Sequence, residues 1–85
     1  STLIALPSLA DTESKLEFNL SSDDRISIGL YDLTGRLIQF LIKENQYTKG
    51  NHRLDCNTLS LSNGPYLVKM TGAYSEATCK LMVQH

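Results

Sequence analysis

Residues Lys15–Leu30 read KLEFNLSSDDRISIGL, and the two ends of that stretch decide the fold. Leu16, Phe18 and Leu20 alternate with Lys15, Glu17 and Asn19. After a polar break, Ile26, Ile28 and Leu30 alternate with Arg25, Ser27 and Gly29. A side-chain period of two puts the apolar residues on one face and the polar ones on the other, which is the pattern of a half-buried antiparallel strand. The break, Ser21-Ser22-Asp23-Asp24, holds four side chains able to bond nearby backbone groups, so it reads as a solvated reversal between two strands.

The same period continues along the chain. Leu54 and Cys56 alternate with Arg53 and Asp55. Tyr66, Val68 and Met70 alternate with Leu67, Lys69 and Thr71. Ala77, Cys79, Leu81 and Val83 alternate with Thr78, Lys80, Met82 and Gln84. Turn chemistry separates the segments. Asp32-Leu33-Thr34-Gly35 predicts a type I turn, with Asp accepting at the first position and Gly free to take positive φ at the last. Lys49-Gly50-Asn51, Asn63-Gly64-Pro65 and Thr71-Gly72-Ala73 supply further reversals. Pro65 fits the start of an edge strand, because it cannot donate to a central ladder. Residues 36–42 (RLIQFLI) also carry a helix-like spacing in Leu37, Phe40 and Leu41. Turns flank them and a lone two-turn helix is marginal, so the expectation is a strand. Seven strands at intervals of about 8–14 residues predict an all-β, seven-stranded antiparallel Ig-like β-sandwich.

With 85 residues the chain makes one domain, residues 1–85, and buries only about 60–65% of its unfolded surface, which leaves little room for a deep cleft. It starts at Ser1 and reads as a fragment of a longer protein. Its 41% apolar content suffices for one packed layer and argues against disorder. The net charge of −1, with lysines and arginines scattered singly, argues against nucleic acid as a partner. No apolar run is long enough to span a bilayer.

No residue set satisfies the needs of catalysis, a metal or a cofactor, and the expectation is a non-enzyme with none of these sites. A nucleophile needs a base that is itself oriented. The histidines are His52, beside a turn, and His85, a mobile last residue. Asp23 and Asp24 are adjacent and point apart. Asp11-Thr12-Glu13 is too short for a calcium loop and serves as a polar connector. Asn19-Leu20-Ser21 forms a glycosylation sequon, here within a strand. Tyr31, Tyr47, Tyr66 and Tyr74 read as packing residues. Cys56 and Cys79 fall on inward faces, either as two buried thiols or, in an oxidising compartment, as a disulfide across the core. Their spacing fits neither a redox CxxC nor a zinc site.

Four stretches taken together carry more information. They are Ser27-Ile28-Gly29-Leu30-Tyr31-Asp32-Leu33-Thr34-Gly35-Arg36-Leu37, then Lys49-Gly50-Asn51-His52, then Leu61-Ser62-Asn63-Gly64-Pro65-Tyr66-Leu67-Val68-Lys69, and finally Lys80-Leu81-Met82-Val83. In this order and spacing, over roughly residues 14–84, the chain closely resembles the type A C-terminal sorting domain of the type IX secretion system of Bacteroidetes. It is similar, more distantly, to the Ig-like domain of flagellar hook-capping proteins. The elements that carry the likeness are the YDLTGR hairpin (Tyr31, Asp32, Gly35, Arg36), the Leu-x-x-Gly-x-Tyr step (Gly64, Tyr66) and the closing lysine. The chain departs from that pattern at Leu6-Pro7-Ser8, where Asn-Pro is usual, at Pro65, and at its Gln84-His85 end.

The resemblance implies a non-catalytic address on a passenger protein. The passenger would pass through the periplasm and be recognised by the type IX translocon and its outer-membrane shuttle. A sortase would then process it, so that it ends at the outer membrane and cell surface or outside the cell, with anionic lipopolysaccharide as the attachment. By analogy Lys80, Leu81, Met82, Val83 and Gln84 form the recognition segment. Two other readings accompany it: an Ig-like interaction or spacer module, and a lipopolysaccharide- or carbohydrate-binding module of a surface protein. An exposed edge strand also offers a route to a dimer.

Overall fold

In a computed structural model, which describes residues 1–85, every regular element is a strand. In chain order they are β1 (Thr2–Leu6), β2 (Leu9–Ala10), β3 (Glu13–Leu20), β4 (Asp24–Asp32), β5 (Leu37–Tyr47), β6 (Gly50–Asn57), β7 (Gly64–Gly72) and β8 (Glu76–Val83). One sheet has the order β1-β3-β6 and the other β2-β8-β7-β4-β5. The fold is the expected sandwich: seven strands have five residues or more, and the extra one, β2, has two. The chain leaves the three-stranded sheet at the cis Leu6–Pro7 bond and joins the other sheet at Leu9, where it runs parallel to β8. Every other pairing is antiparallel.

The core lies between the sheets and follows the alternation residue by residue. Leu16 and Leu20 of β3 meet Ile26, Ile28 and Leu30 of β4, Val68 and Met70 of β7, and Leu81 and Val83 of β8, all at most 1% exposed. Ala77 and Cys79 point the same way but are only half covered.

β5 is a strand, and its helix-like spacing has a different cause. Its register with β4 shifts at three places, so that Leu37 pairs with Tyr31 and Phe40 with Gly29 although they lie three residues apart. β-bulges bring both to the outward face, and such bulges are a common way to blunt an edge strand. Pro65 sits near the start of β7, which is a central strand and not an edge. It is tolerated there because the β4 ladder ends at Asp32–Tyr66, one residue short of it.

Asp24 departs from the expected solvated turn. It is 3% exposed, and its carboxylate accepts the N–H groups of Arg25 (2.8 Å), Ala73 (3.1 Å) and Tyr74 (2.9 Å). Asp23 points away and accepts the Lys49 N–H at 2.7 Å. Burial pushes the Asp24 carboxyl upward, but the hydrogen bonds, led by that from Tyr74, outweigh it and hold the group below its ordinary value. A lowered folded-state value means that stability is present above the usual carboxylate range and is lost as pH falls through the lower value. Thermal melts are therefore expected to fall steeply below about pH 4. Asp24→Asn should melt lower at neutral pH and show a flatter acid limb; an unchanged acid limb would remove Asp24 as the cause.

Candidate functional site

The YDLTGR hairpin is built by Asp32. Its Oδ1 accepts the Thr34 N–H (2.9 Å), the Thr34 hydroxyl (2.6 Å) and the Arg36 N–H (3.0 Å), while its own carbonyl accepts the Gly35 N–H at 3.1 Å. These bonds, led by the Thr34 hydroxyl, hold the carboxyl below its ordinary range. Gly35 has a φ of 89°, as the turn chemistry requires. The Leu-x-x-Gly-x-Tyr step is a tyrosine corner: Gly64 turns the chain at a φ of 141°, and the Tyr66 hydroxyl donates back to the Ser62 carbonyl at 2.7 Å.

Pairing brings the three motif pieces together. Tyr66 lies opposite Asp32 on one side and Leu81 on the other; in the next row Leu67 lies between Tyr31 and Lys80, and Tyr31 pairs onward with Leu37. Residues about fifty positions apart thus occupy adjacent rows at one end of the five-stranded sheet. Gly29, treated as a plain alternating position in the sequence, shapes that end. A Cβ there would stand 2.9 Å from Cε1 of Tyr31, so the absent side chain lets the tyrosine ring lie over the strand. The Lys69 ammonium sits 4.8 Å from the centre of that ring, and that of Lys43 5.3 Å from the Phe40 ring.

The segment Lys80–Gln84, expected to carry recognition, divides by face. Leu81 and Val83 are core residues, whereas Lys80, Met82 and Gln84 are exposed. The end of β8 has neighbours on both sides: Met82 N–H donates to Ser8 O (2.8 Å) and Gln84 N–H to Ala10 O (2.9 Å). His85 is tied to the fold by three contacts. Its N–H donates to Asn63 Oδ1 (2.9 Å), Nδ1 contacts Asp11 Oδ1 (2.9 Å) and Nε2 contacts Leu61 O (2.7 Å). The Asp11 carboxylate, and after it the Leu61 carbonyl, raise its pKa.

The outer face of the three-stranded sheet differs in character. An open groove of about 440 Å³ runs past Ile4, Glu17, Asn19, Asn51, His52 and Arg53. Its polar groups satisfy one another: Arg53 pairs with Glu17 at 2.7 Å, and Asn19 of the sequon donates to Asn51 at 2.6 Å. Lys15 pairs with Asp55 nearby at 2.9 Å. His52 stacks on Phe18 with ring centres 5.2 Å apart and meets Tyr47 edge-on. Of the four tyrosines, Tyr47 and Tyr66 pack as expected, Tyr31 lies on the outer face, and Tyr74 is 75% exposed in a loop. Cys56 and Cys79 are free thiols. Burial first, and the neighbouring Cys56 second, push Cys79 up to about 11.

A sandwich with its first strand split between sheets and a tyrosine corner at β7 defines an Ig-like module whose sheet faces and turns are what it offers to others. Residues 12–84 match the family of secretion system C-terminal sorting domains, and the chain belongs to that family. No curated protein and no solved structure matches the chain. The family is that of type IX secretion tails, which the type IX machinery recognises and which mark export across the outer membrane to the cell surface or beyond. It is not a catalytic family.

Proposed function

We propose that residues 1–85 act as a non-catalytic sorting domain whose passenger crosses the periplasm, is engaged by the type IX translocon and an outer-membrane shuttle, and is then processed by a sortase for attachment to anionic lipopolysaccharide. The observation that carries this reading is the family match over residues 12–84. Supporting it, the YDLTGR turn, the tyrosine corner and Lys80 converge on adjacent rows of one sheet. Within the recognition segment, Lys80, Met82 and Gln84 are the contacts open to a receptor, and Leu81 and Val83 hold the strand in place.

The test is a reporter with a periplasmic signal peptide, fused ahead of residues 1–85 and expressed in a type IX-competent host. Reporter accessible to external protease is the expected result. Reporter retained in the periplasm beside a folded domain would refute the sorting role and favour the spacer reading.

A further inference from the structure

The two outer faces of the sandwich hold their cations differently. On the three-stranded sheet the cations Lys15 and Arg53 are each tied to a carboxylate. On the five-stranded sheet Lys43, Lys69 and Lys80 have no carboxylate within ion-pair distance, since the one remaining pair joins His85 to Asp11. These free cations surround an apolar centre. Leu37 and Phe40 are 39% and 43% exposed, and the Tyr31 ring lies beside Leu37 over Gly29, while Met82, 43% exposed, stands two strands away on β8 opposite Pro65. Lys80, Leu67, Tyr31 and Leu37 form one continuous row across four strands, with Lys69, Gly29 and Phe40 in the next outward-facing row, beyond the inward row of Val68 and Leu30.

We propose that this outward face of the five-stranded sheet is the surface on which the domain docks to an acidic protein partner in the secretion machinery, a proposal that rests on the sorting reading above and extends it beyond the last strand. An aromatic and aliphatic centre with charges at its rim is the composition of a protein interface, and tyrosine is among the residues that concentrate binding energy there. The charges select the partner. The chain carries −1 overall, yet this face presents lysines, so an acidic surface is attracted to this side in particular. A second copy is disfavoured as the occupant, because a two-fold contact through the same patch sets lysines against lysines.

The experiment compares surface display of the reporter fusion carrying K69E/K80E with the same fusion carrying K15E/R53E on the opposite face. Far-UV circular dichroism of each 85-residue chain checks that it is folded. Binding of each chain to phosphatidylcholine vesicles with and without phosphatidylglycerol is measured by co-sedimentation. The expected result is a loss of display of roughly tenfold or more for folded K69E/K80E, since like charges across an interface cost several kcal/mol. K15E/R53E should display as the unaltered fusion does, and no chain should sediment with vesicles. Normal display by K69E/K80E overturns the docking surface and leaves the sorting role standing. Vesicle binding that K69E/K80E abolishes assigns the face to an anionic membrane and overturns the protein partner. An unaltered fusion that stays in the periplasm overturns the sorting role and this proposal with it.

Discussion

Deleting Lys80–His85 is expected to unfold the domain, not merely to remove its address. The deletion takes away Leu81 and Val83, which are 1% and 0% exposed, and with them the β8 ladder to β2 and to the start of β7. Loss of one buried leucine-sized side chain costs about 2–5 kcal/mol. A domain of this length has roughly 4–13 kcal/mol in total. Two such losses together with broken strand pairing therefore consume most of that margin. Circular dichroism should show no cooperative melt for the truncated chain. Lys80→Ala, Met82→Ala and Gln84→Ala change exposed positions and should each shift stability by no more than about 0.5 kcal/mol, so they separate recognition from folding. A cooperative melt near the original temperature in the truncated chain would show that the end of β8 lies outside the folded core.

The second large effect is expected from Leu16→Ala. Leu16 is 0% exposed at the middle of β3, the central strand of its sheet, between Ala5 of β1 and Leu54 of β6. Alanine there leaves a cavity under three strands, at a cost of about 2–5 kcal/mol. Chemical denaturation should show the midpoint falling with an unchanged slope. Passenger display should fall in parallel, because the proposed sorting surface spans four strands and needs the sheet intact. Ile4→Ala, at a position 47% exposed on the same sheet, is the matched control and should leave both nearly unchanged. A Leu16→Ala domain as stable as the original would contradict the single core between the sheets.

The buried faces were legible in the sequence wherever strand period and turn chemistry agreed. Leu16, Ile28, Val68 and Leu81 are inward as their alternation requires, and Asp32 and Gly35 close the turn that their side-chain chemistry predicts. The misreadings share a cause. Asp24 looks solvated beside Asp23, yet it is buried because Ala73 and Tyr74, some fifty residues later, donate to it. His85 looks mobile as a terminal residue, yet Asp11, Leu61 and Asn63 reach it across the fold. Pro65 looked fit for an edge strand, yet β7 is central, and only the end of the β4 ladder makes room for it. The proposed docking face was half visible: Tyr31 and Lys80 stood out as motif residues, whereas Tyr66, equally prominent in the motif, is a core residue. The contributions of Gly29, Lys69, Leu37 and Phe40 depended on which strands lie side by side.

By itself the chain determined that it folds as strands, which side chains turn inward, and where it reverses, because side-chain period and turn chemistry are set within a few neighbouring residues. Only the tertiary structure decided that the first strand divides between two sheets, that three distant motifs share adjacent rows, and that one outer face holds unpaired lysines around a tyrosine while the other holds ion pairs. Those outcomes depend on register between strands far apart in the chain, and register is settled by the whole core closing at once.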